Sequence, residues 1–391
     1  MKELLKKYLN YLTVLFLIIV FFTLNYILFY NQCTSALLDS DMFLSDMLMY
    51  MFKAVGSDVP YDFPYPVFFK FISLLKNCFT IENATAIATA VLNTGSMLIL
   101  CFFMKKHLQC SAAKALFISF CLHYVSMIFL PFSLKNAGLP LRYLGVFSPN
   151  PWHNATYIAT RPFSVAAFFL FAEILEKDKT SIRDHVLFGI FMLLTTMTKP
   201  SFTLPMMAVC FIAWITDFFK WHIKDRKKRT MLLIIVLLPT IIDLLYQYRS
   251  VFTSEGAESD KGIGMGLFTA WGYYCGNIPL AIILGILCPL YLLIRYKEKK
   301  RIYLLSWLLY LVAFLTFALL YEKGDRITHL NFGWGYMHGM FFLFCTSAIQ
   351  IFGRTKITKH NIPDYIFFGM HLLCGLIYFY YLYTGGGFRY F

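Results

Sequence analysis

Charge is scarce in this chain, and acids are scarcest. Only 21 Asp and Glu stand against 35 Lys and Arg in 391 residues, and charged residues make up 14% of the total. Soluble domains carry about 25%, so the composition excludes a water-soluble globular protein. The 10 cysteines include no Cys-X-X-Cys pair, and most fall inside apolar runs. That spacing excludes paired-cysteine zinc and redox motifs and leaves Cys as a small hydrophobe. Cys33 and Cys78 share one expected side, where a bond between them is the lesser expectation. Internal repeats, low-complexity tails and a soluble domain are also missing. No small-residue cleavage site follows the basic start (Lys2, Lys6, Lys7), and the apolar run behind it is too long for a signal-peptide core. It reads as an uncleaved anchor.

Hydrophobic residues are 59% of the chain and aromatics 19%. Apolar runs near 20 residues recur, enough to cross a hydrocarbon core of about 30 Å. The pattern predicts an all-α polytopic integral membrane protein, with 1–391 forming a single transmembrane domain. About 11 spans fit, near 10–30, 84–104, 114–132, 156–176, 184–198, 201–220, 231–249, 270–294, 302–321, 334–352 and 364–384. With the N-terminus cytoplasmic and the C-terminus outside, 23 of the 35 basic residues fall in the shorter inner segments. That is the positive-inside asymmetry of a cell-membrane protein, and it accounts for the excess basicity without nucleic acid. The basic run Trp221–Arg229 reads as topology plus contact with anionic lipids. The fifth and sixth spans, parted only by Thr198-Lys199-Pro200, suit a broken hairpin.

The first outer loop, 31–83, holds the densest acids: Asp39, Asp41, Asp46, Asp58 and Asp62. Ser40 to Ala54 lacks Gly and Pro, and Ser40 or Ser45 suits a helix cap. Phe43, Met47, Tyr50, Met51 and Ala54 fall at helical spacing behind acids that complement the helix dipole. After Pro60–Pro66, Val67–Leu75 makes a second amphipathic helix with Lys70 and Lys76. Both are expected along the outer membrane surface, in contact with membrane lipids.

Polar residues return to the same side in later loops. The Asp-Ser-Asp spacing suits a base that deprotonates a hydroxyl, or ligands to a metal beside a phosphate leaving group. If a divalent cation (Mg or Mn) takes part, Asp39 and Asp41 are its candidate ligands. Capping and solvation of a surface helix is the plainer role for these acids. In Ser148–Thr156, His153 can act as base or phosphate donor. Arg161 follows at the mouth of the fourth span and can clamp a phosphate. Trp152 and Tyr157 suit interfacial anchors. Asn83-Ala-Thr and Asn154-Ala-Thr match a glycosylation acceptor pattern and read as incidental. Lys199, at an apolar helical break, is a natural anion site or a snorkelling lysine. In Glu322–Trp334, the candidates are Glu322, Arg326 and His329, with Asn331 and Trp334 able to bond and stack on a sugar. An internal Glu–Arg or Asp325–Arg326 pair would stabilise that loop instead. Asp243, inside the seventh span with Gln247 one turn on, is an intramembrane acid and so a second-tier candidate.

With these residues placed, the chain resembles the bacterial polytopic membrane glycosyltransferases of the C-type architecture. The likeness lies in the layout: an inner N-terminus, about 11 spans, and a long first outer loop that opens on Asp39, Asp41 and Asp46 and continues around Tyr65-Pro66. The segments Asn150-Pro-Trp-His-Asn, Thr198-Lys-Pro-Ser and Asn331-Phe-Gly-Trp-Gly also look like those of bacterial membrane proteins in surface-polysaccharide gene sets. The resemblance implies a catalytic acid in the first loop and a polyprenyl-phosphate-linked sugar donor. Asp41 would be the base and Asp39 or Asp46 a helper, with Arg161, Lys199 or Arg326 receiving the lipid phosphate. Many relatives carry a His shortly after the first acid, where this chain has Ser45 and Asp46.

The expected function is therefore transfer of a sugar from a polyprenyl-phosphate donor to a lipid-linked or cell-surface glycan acceptor at the outer face. A polysaccharide repeat-unit polymerase or ligase is the nearest alternative and would rely on outer arginines, here Arg142, Arg161, Arg249, Arg326 and Arg389. A flippase or other transporter of lipid-linked sugars would favour short loops, internal pseudo-symmetry and broken mid-membrane helices.

Overall fold

The computed structural model describes residues 2–57, 59, 63–129, 148–218, 225–252, 262–354 and 358–387. Asp58, Asp62, Arg389, residues 133–147 with Arg142, residues 219–224 of the basic inner run and residues 253–261 lie outside them. The described helices are α1 (Lys2–Leu37), α2 (Met47–Ala54), α3 (Val67–Lys76), α4 (Ile81–Leu108), α5 (Ala112–Leu122), α6 (Ala155–Glu176) and α7 (Ile182–Thr198). They continue with α8 (Thr203–Phe218), α9 (Arg226–Phe252), α10 (Thr269–Gly272), α11 (Ile278–Arg295), α12 (Arg301–Leu319), α13 (Gly333–Phe352) and α14 (Ile362–Tyr383). Strands β1 (Ile263–Met265) and β2 (Leu320–Glu322) pair antiparallel, Gly264 opposite Tyr321, ahead of a 3-10 turn at Gly324–His329.

Among the described residues, 8 helices are long and apolar enough to cross a membrane: α1, α4, α6, α9, α11, α12, α13 and α14. The protein is thus an all-α multi-pass membrane protein. The other expected spans meet shorter helices, α5, α7 and α8. At the centre, α6 and α13 are almost wholly buried, while α1 and α9 keep most of their surface outward. Small residues on the central pair (Ala159, Ala166 and Ala167 on α6; Gly335, Gly339 and Ala348 on α13) let neighbours approach closely.

The third expected span, 114–132, departs from a continuous helix for a visible reason. Beyond Leu122 the buried segment 124–129 is non-helical and threads between α11 and α14. Non-helical backbone at membrane depth must be satisfied by protein. Here α11 is interrupted at Ile286 (φ −127°, ψ 21°), ahead of Pro289. Each half of the bond lost there, between Cys288 N–H and Leu284 carbonyl, finds another partner. Ile128 N–H donates to the Leu284 carbonyl at 3.0 Å, and Cys288 N–H donates to His371 Nε2 at 3.2 Å. His371 Nδ1–H in turn donates to the Ser126 carbonyl at 2.7 Å.

Gly375 makes this threading possible, since a Cβ there would lie 1.5 Å from the Tyr124 carbonyl oxygen. Gly375→Ala is therefore expected to destabilise the bundle by about 3 kcal/mol through overpacking. Thermal unfolding of the detergent-purified protein measures it.

The first loop also differs from expectation. Its helix starts at Met47, not near Ser40, because residues 38–46 make turns with Asp39 (φ 50°) and Phe43 (φ 53°) in the left-handed region. Phe43 N–H donates to the Gly385 carbonyl at 3.0 Å, anchoring the turn to the chain after α14. The apolar faces of α2 and α3 (Met47, Tyr50 and Met51; Phe68, Phe69 and Ile72) are buried against each other, α1 and α4. Those faces pack on protein rather than lie on a membrane surface. Cys33 and Cys78 are free thiols.

Candidate functional site

Pro200 disfavours helix at the residue before it, so α7 ends at Thr198 and Lys199 takes an extended conformation (φ −170°, ψ 124°). The Lys199 side chain, 6% exposed, turns into the protein. Its ammonium donates to Asn154 Oδ1 at 3.0 Å and Thr156 Oγ1 at 3.1 Å, and lies 4.4 Å from the centre of the Trp334 ring. Burial pushes the Lys199 amine down to about 7, while the charge of Asp46 opposes that shift.

Asn154 joins the two charges. It caps α6, its Oδ1 accepting from Tyr157 N–H at 2.9 Å, and its Nδ2 donates to Asp46 Oδ2 at 2.8 Å. The backbone closes the same junction, Asp46 N–H donating to the His153 carbonyl at 3.1 Å. Among the described residues no ion pair joins Asp46 to Lys199, so carboxylate and ammonium are held apart on one amide. Beside them, the Tyr50 phenol is raised well above its ordinary value, first by burial and then by the Asp46 charge.

These residues line one cavity of about 1010 Å³, together with His153, Glu322, Arg326, His329, Asn331 and Trp334. Glu322 Oε2 accepts from Asn331 Nδ2 at 2.7 Å and pairs with Arg326 Nε at 2.9 Å. The Glu–Arg pairing that would merely brace the loop is present, yet both partners face the cavity. The strip Leu204, Ala208, Leu244, Val312 continues the wall as apolar surface. One cavity thus carries two charged clusters and a hydrocarbon lining.

The structure therefore gathers Asp46, His153, Lys199, Glu322, Arg326, His329, Asn331 and Trp334 from sequence positions far apart. It does not bring in three of the others. Asp39 and Asp41 are exposed on the 38–46 turns and do not line the cavity. Arg161, expected as a phosphate clamp, lies seven residues into α6 from Asn154, about 10 Å deeper at 1.5 Å per residue. It is fully buried, donating to Asn150 Oδ1 at 2.6 Å with its guanidinium against Tyr157 and Phe341. Asn150 also donates to the Leu122 and Val125 carbonyls, so Arg161 helps hold the 148–154 segment that bears His153 and Asn154. Lys199 lies over one face of the Trp334 ring as a cation–π partner. Among the described residues no three of His, Cys, Asp and Glu converge as metal ligands.

Asn154 and Thr156 are the residues that sequence reasoning missed. Both belong to the Asn-Ala-Thr triplet read as incidental, and both are buried at the site. Asn ahead of a long apolar run is also an N-cap signal, which was the productive reading here. Asp243 is tied to structure: Gln247 Nε2 donates to its carboxylate at 2.8 Å and to the Thr196 carbonyl at 3.0 Å, fastening α9 to the end of α7.

Gly335 lets the Lys199–Ser201 turn seat against α13, since a Cβ there would stand 2.7 Å from the Ser201 carbonyl oxygen. Gly335→Ala is expected to push that turn off α13 and destabilise the fold by about 1–3 kcal/mol through overpacking. Thermal unfolding of the detergent-purified protein decides it.

No protein-family model matches this chain, and no curated protein sequence matches it significantly.

Proposed function

We propose that the protein is a membrane glycosyltransferase. It moves a sugar from a polyprenyl-phosphate donor to a hydroxyl of a lipid-linked or cell-surface glycan, working at the outer leaflet. The observation that carries this reading is the sharing of Asn154 between Asp46 and Lys199 at the wall of a large cavity. Glycosyl transfer needs a carboxylate to take a proton and a cation to receive a phosphate, and needs them unneutralised by each other.

Asp46 accepts the proton of the acceptor hydroxyl as its oxygen bonds to the anomeric carbon. The bond from that carbon to the phosphate oxygen breaks, and the electron pair leaves with the prenyl phosphate. The Lys199 ammonium meets the charge that develops there. The proton remains on Asp46 until solvent removes it. Glu322 and Asn331 bind sugar hydroxyls, with Glu322 oriented by Arg326. The nearest alternative, a polymerase, is less well supported, because among the described residues the arginine lining the cavity, Arg326, is already paired with an acid and Arg161 lies beneath it.

The test is complementation of a deletion strain, with mass spectrometry of its surface and lipid-linked glycans. Loss of one sugar, restored by the wild-type gene, is the expected result. Accumulation of complete but unpolymerised repeat units would replace this reading with the polymerase. An unchanged glycan profile in the deletion strain would remove the transferase.

A further inference from the structure

We infer that the turn at Lys199–Ser201 and the N-terminus of α8 form a seat for the phosphate of a single-chain prenyl lipid, whose chain leaves the cavity sideways between α9 and α12. The inference rests on the reading of the protein as an enzyme of lipid-linked sugars and identifies where such a lipid binds.

The head-group seat is built from groups that lack partners in the folded chain. Ser201 lines the cavity, is 5% exposed, and its hydroxyl has no hydrogen-bond partner. A buried hydroxyl without a partner is uncommon and points to a missing ligand. The first backbone bond of α8 runs from Leu204 N–H to the Pro200 carbonyl at 3.1 Å. The N–H groups of Ser201, Phe202 and Thr203 therefore precede the intrahelical ladder, at the positive end of a 16-residue helix. Such an end, with a hydroxyl and a lysine beside it, is a phosphate site. From the opposite wall Gln247, 4% exposed, presents an Oε1 that also lacks a partner and can accept from a sugar hydroxyl next to the phosphate.

The chain path follows from the helices beyond that seat. Leu204 and Ala208 on α8, Leu244 and Tyr248 on α9, and Val312 and Thr316 on α12 line the cavity. Each pair is spaced four residues and so lies along one face of its helix, giving the strip three walls. α9 takes its main packing from α7, and α12 from α13, so the space between them is cavity lining rather than a helix contact. Beside the strip, Leu245 (59%), Leu311 (47%) and Leu315 (52%) are exposed on the outward surface. The cavity thus opens toward the surface that a membrane-embedded chain would reach. The α12 wall runs from Val312 to Thr316, about 6 Å at 1.5 Å per residue. Only the head-proximal part of a chain is contacted, and long and short prenyl phosphates should bind alike.

The test uses the purified full chain in nanodiscs, with farnesyl phosphate as the probe and a diazirine-bearing farnesyl phosphate for photolabelling. Farnesyl phosphate is expected to bind, with farnesol and dioleoyl phosphatidic acid much weaker. Loss of a charged hydrogen bond in Ser201→Ala should weaken binding by about tenfold. Ala208→Trp and Thr316→Trp, on opposite walls, should block the chain. Photolabel on the wild-type chain should map to α8, α9 and α12, a result that stands even where a Trp variant fails to fold. Label on other helices, Ser201→Ala binding like wild type, or phosphatidic acid competing equally would each overturn the inference. Sugar transfer is read separately, by the complementation test above. Correct labelling in a protein that transfers no sugar would leave this site and remove the transferase reading. Sugar transfer with the label elsewhere would do the reverse.

Discussion

Asp46→Asn is expected to lower sugar transfer by about 10²–10⁴-fold, the range for losing a general base, while Asp41→Asn and Asp39→Asn stay near wild type. The three acids lie within one short stretch of sequence, and only their placement separates them. Asp39 and Asp41 stand exposed on turns and do not line the cavity. Asp46 sits at the cavity wall, oriented by Asn154 Nδ2 and by its own backbone bond to His153. Asn keeps the shape of Asp46 and can still meet Asn154 with its amide oxygen, so folding should survive and donor KM should change little. The loss should fall on kcat. Initial rates on membranes with matched protein levels, with lipid-linked donor and acceptor supplied, give the comparison. A fall in Asp41→Asn with Asp46→Asn unaffected would move the base back to the exposed turn and sink the proposed mechanism.

The second large effect concerns Lys199. Its amine is pushed down to about 7 by burial, so the free protein carries the ammonium below that pH and loses it above. An anionic donor binds the charged form and keeps its proton in place. Donor KM should therefore be flat below pH 7 and rise about tenfold per pH unit above it, the slope of one titrating proton. Lys199→Arg holds its charge throughout and should flatten the profile. Lys199→Met should weaken donor binding by about 10–100-fold at every pH below 7, from loss of a charge-assisted hydrogen bond. His153 lines the same cavity, which is why the arginine variant is the deciding control. A profile that keeps its rise in Lys199→Arg would assign the titration to another group and remove Lys199 as the phosphate receiver.

Much of the site was legible before the fold. Lys199 before Pro200, between two short apolar runs, announced a cation at a helical break, because proline forces its neighbour out of the helix. Glu322, Arg326 and Asn331 stood out as polar residues returning among apolar spans. The choice of Asp41 over Asp46 followed from an assumed helix starting near Ser40. The chain instead turns through residues 38–46, held by contacts with Gly385 that local sequence does not announce. Asn154 was hidden because a side chain that caps a helix and bridges two distant charges looks, in one dimension, like any other Asn-X-Thr.

The membrane character, the positions of most spans and the identity of the polar loops were determined by the sequence alone, since hydrophobicity and helix length are local and additive. The break after Leu122, the kink at Ile286, the burial of Arg161 beneath the cavity and the selection of Asp46 were decided only by the tertiary structure. Each depends on a partner more than 10 residues away, and a backbone or charge buried in a membrane adopts whichever conformation lets distant groups satisfy it.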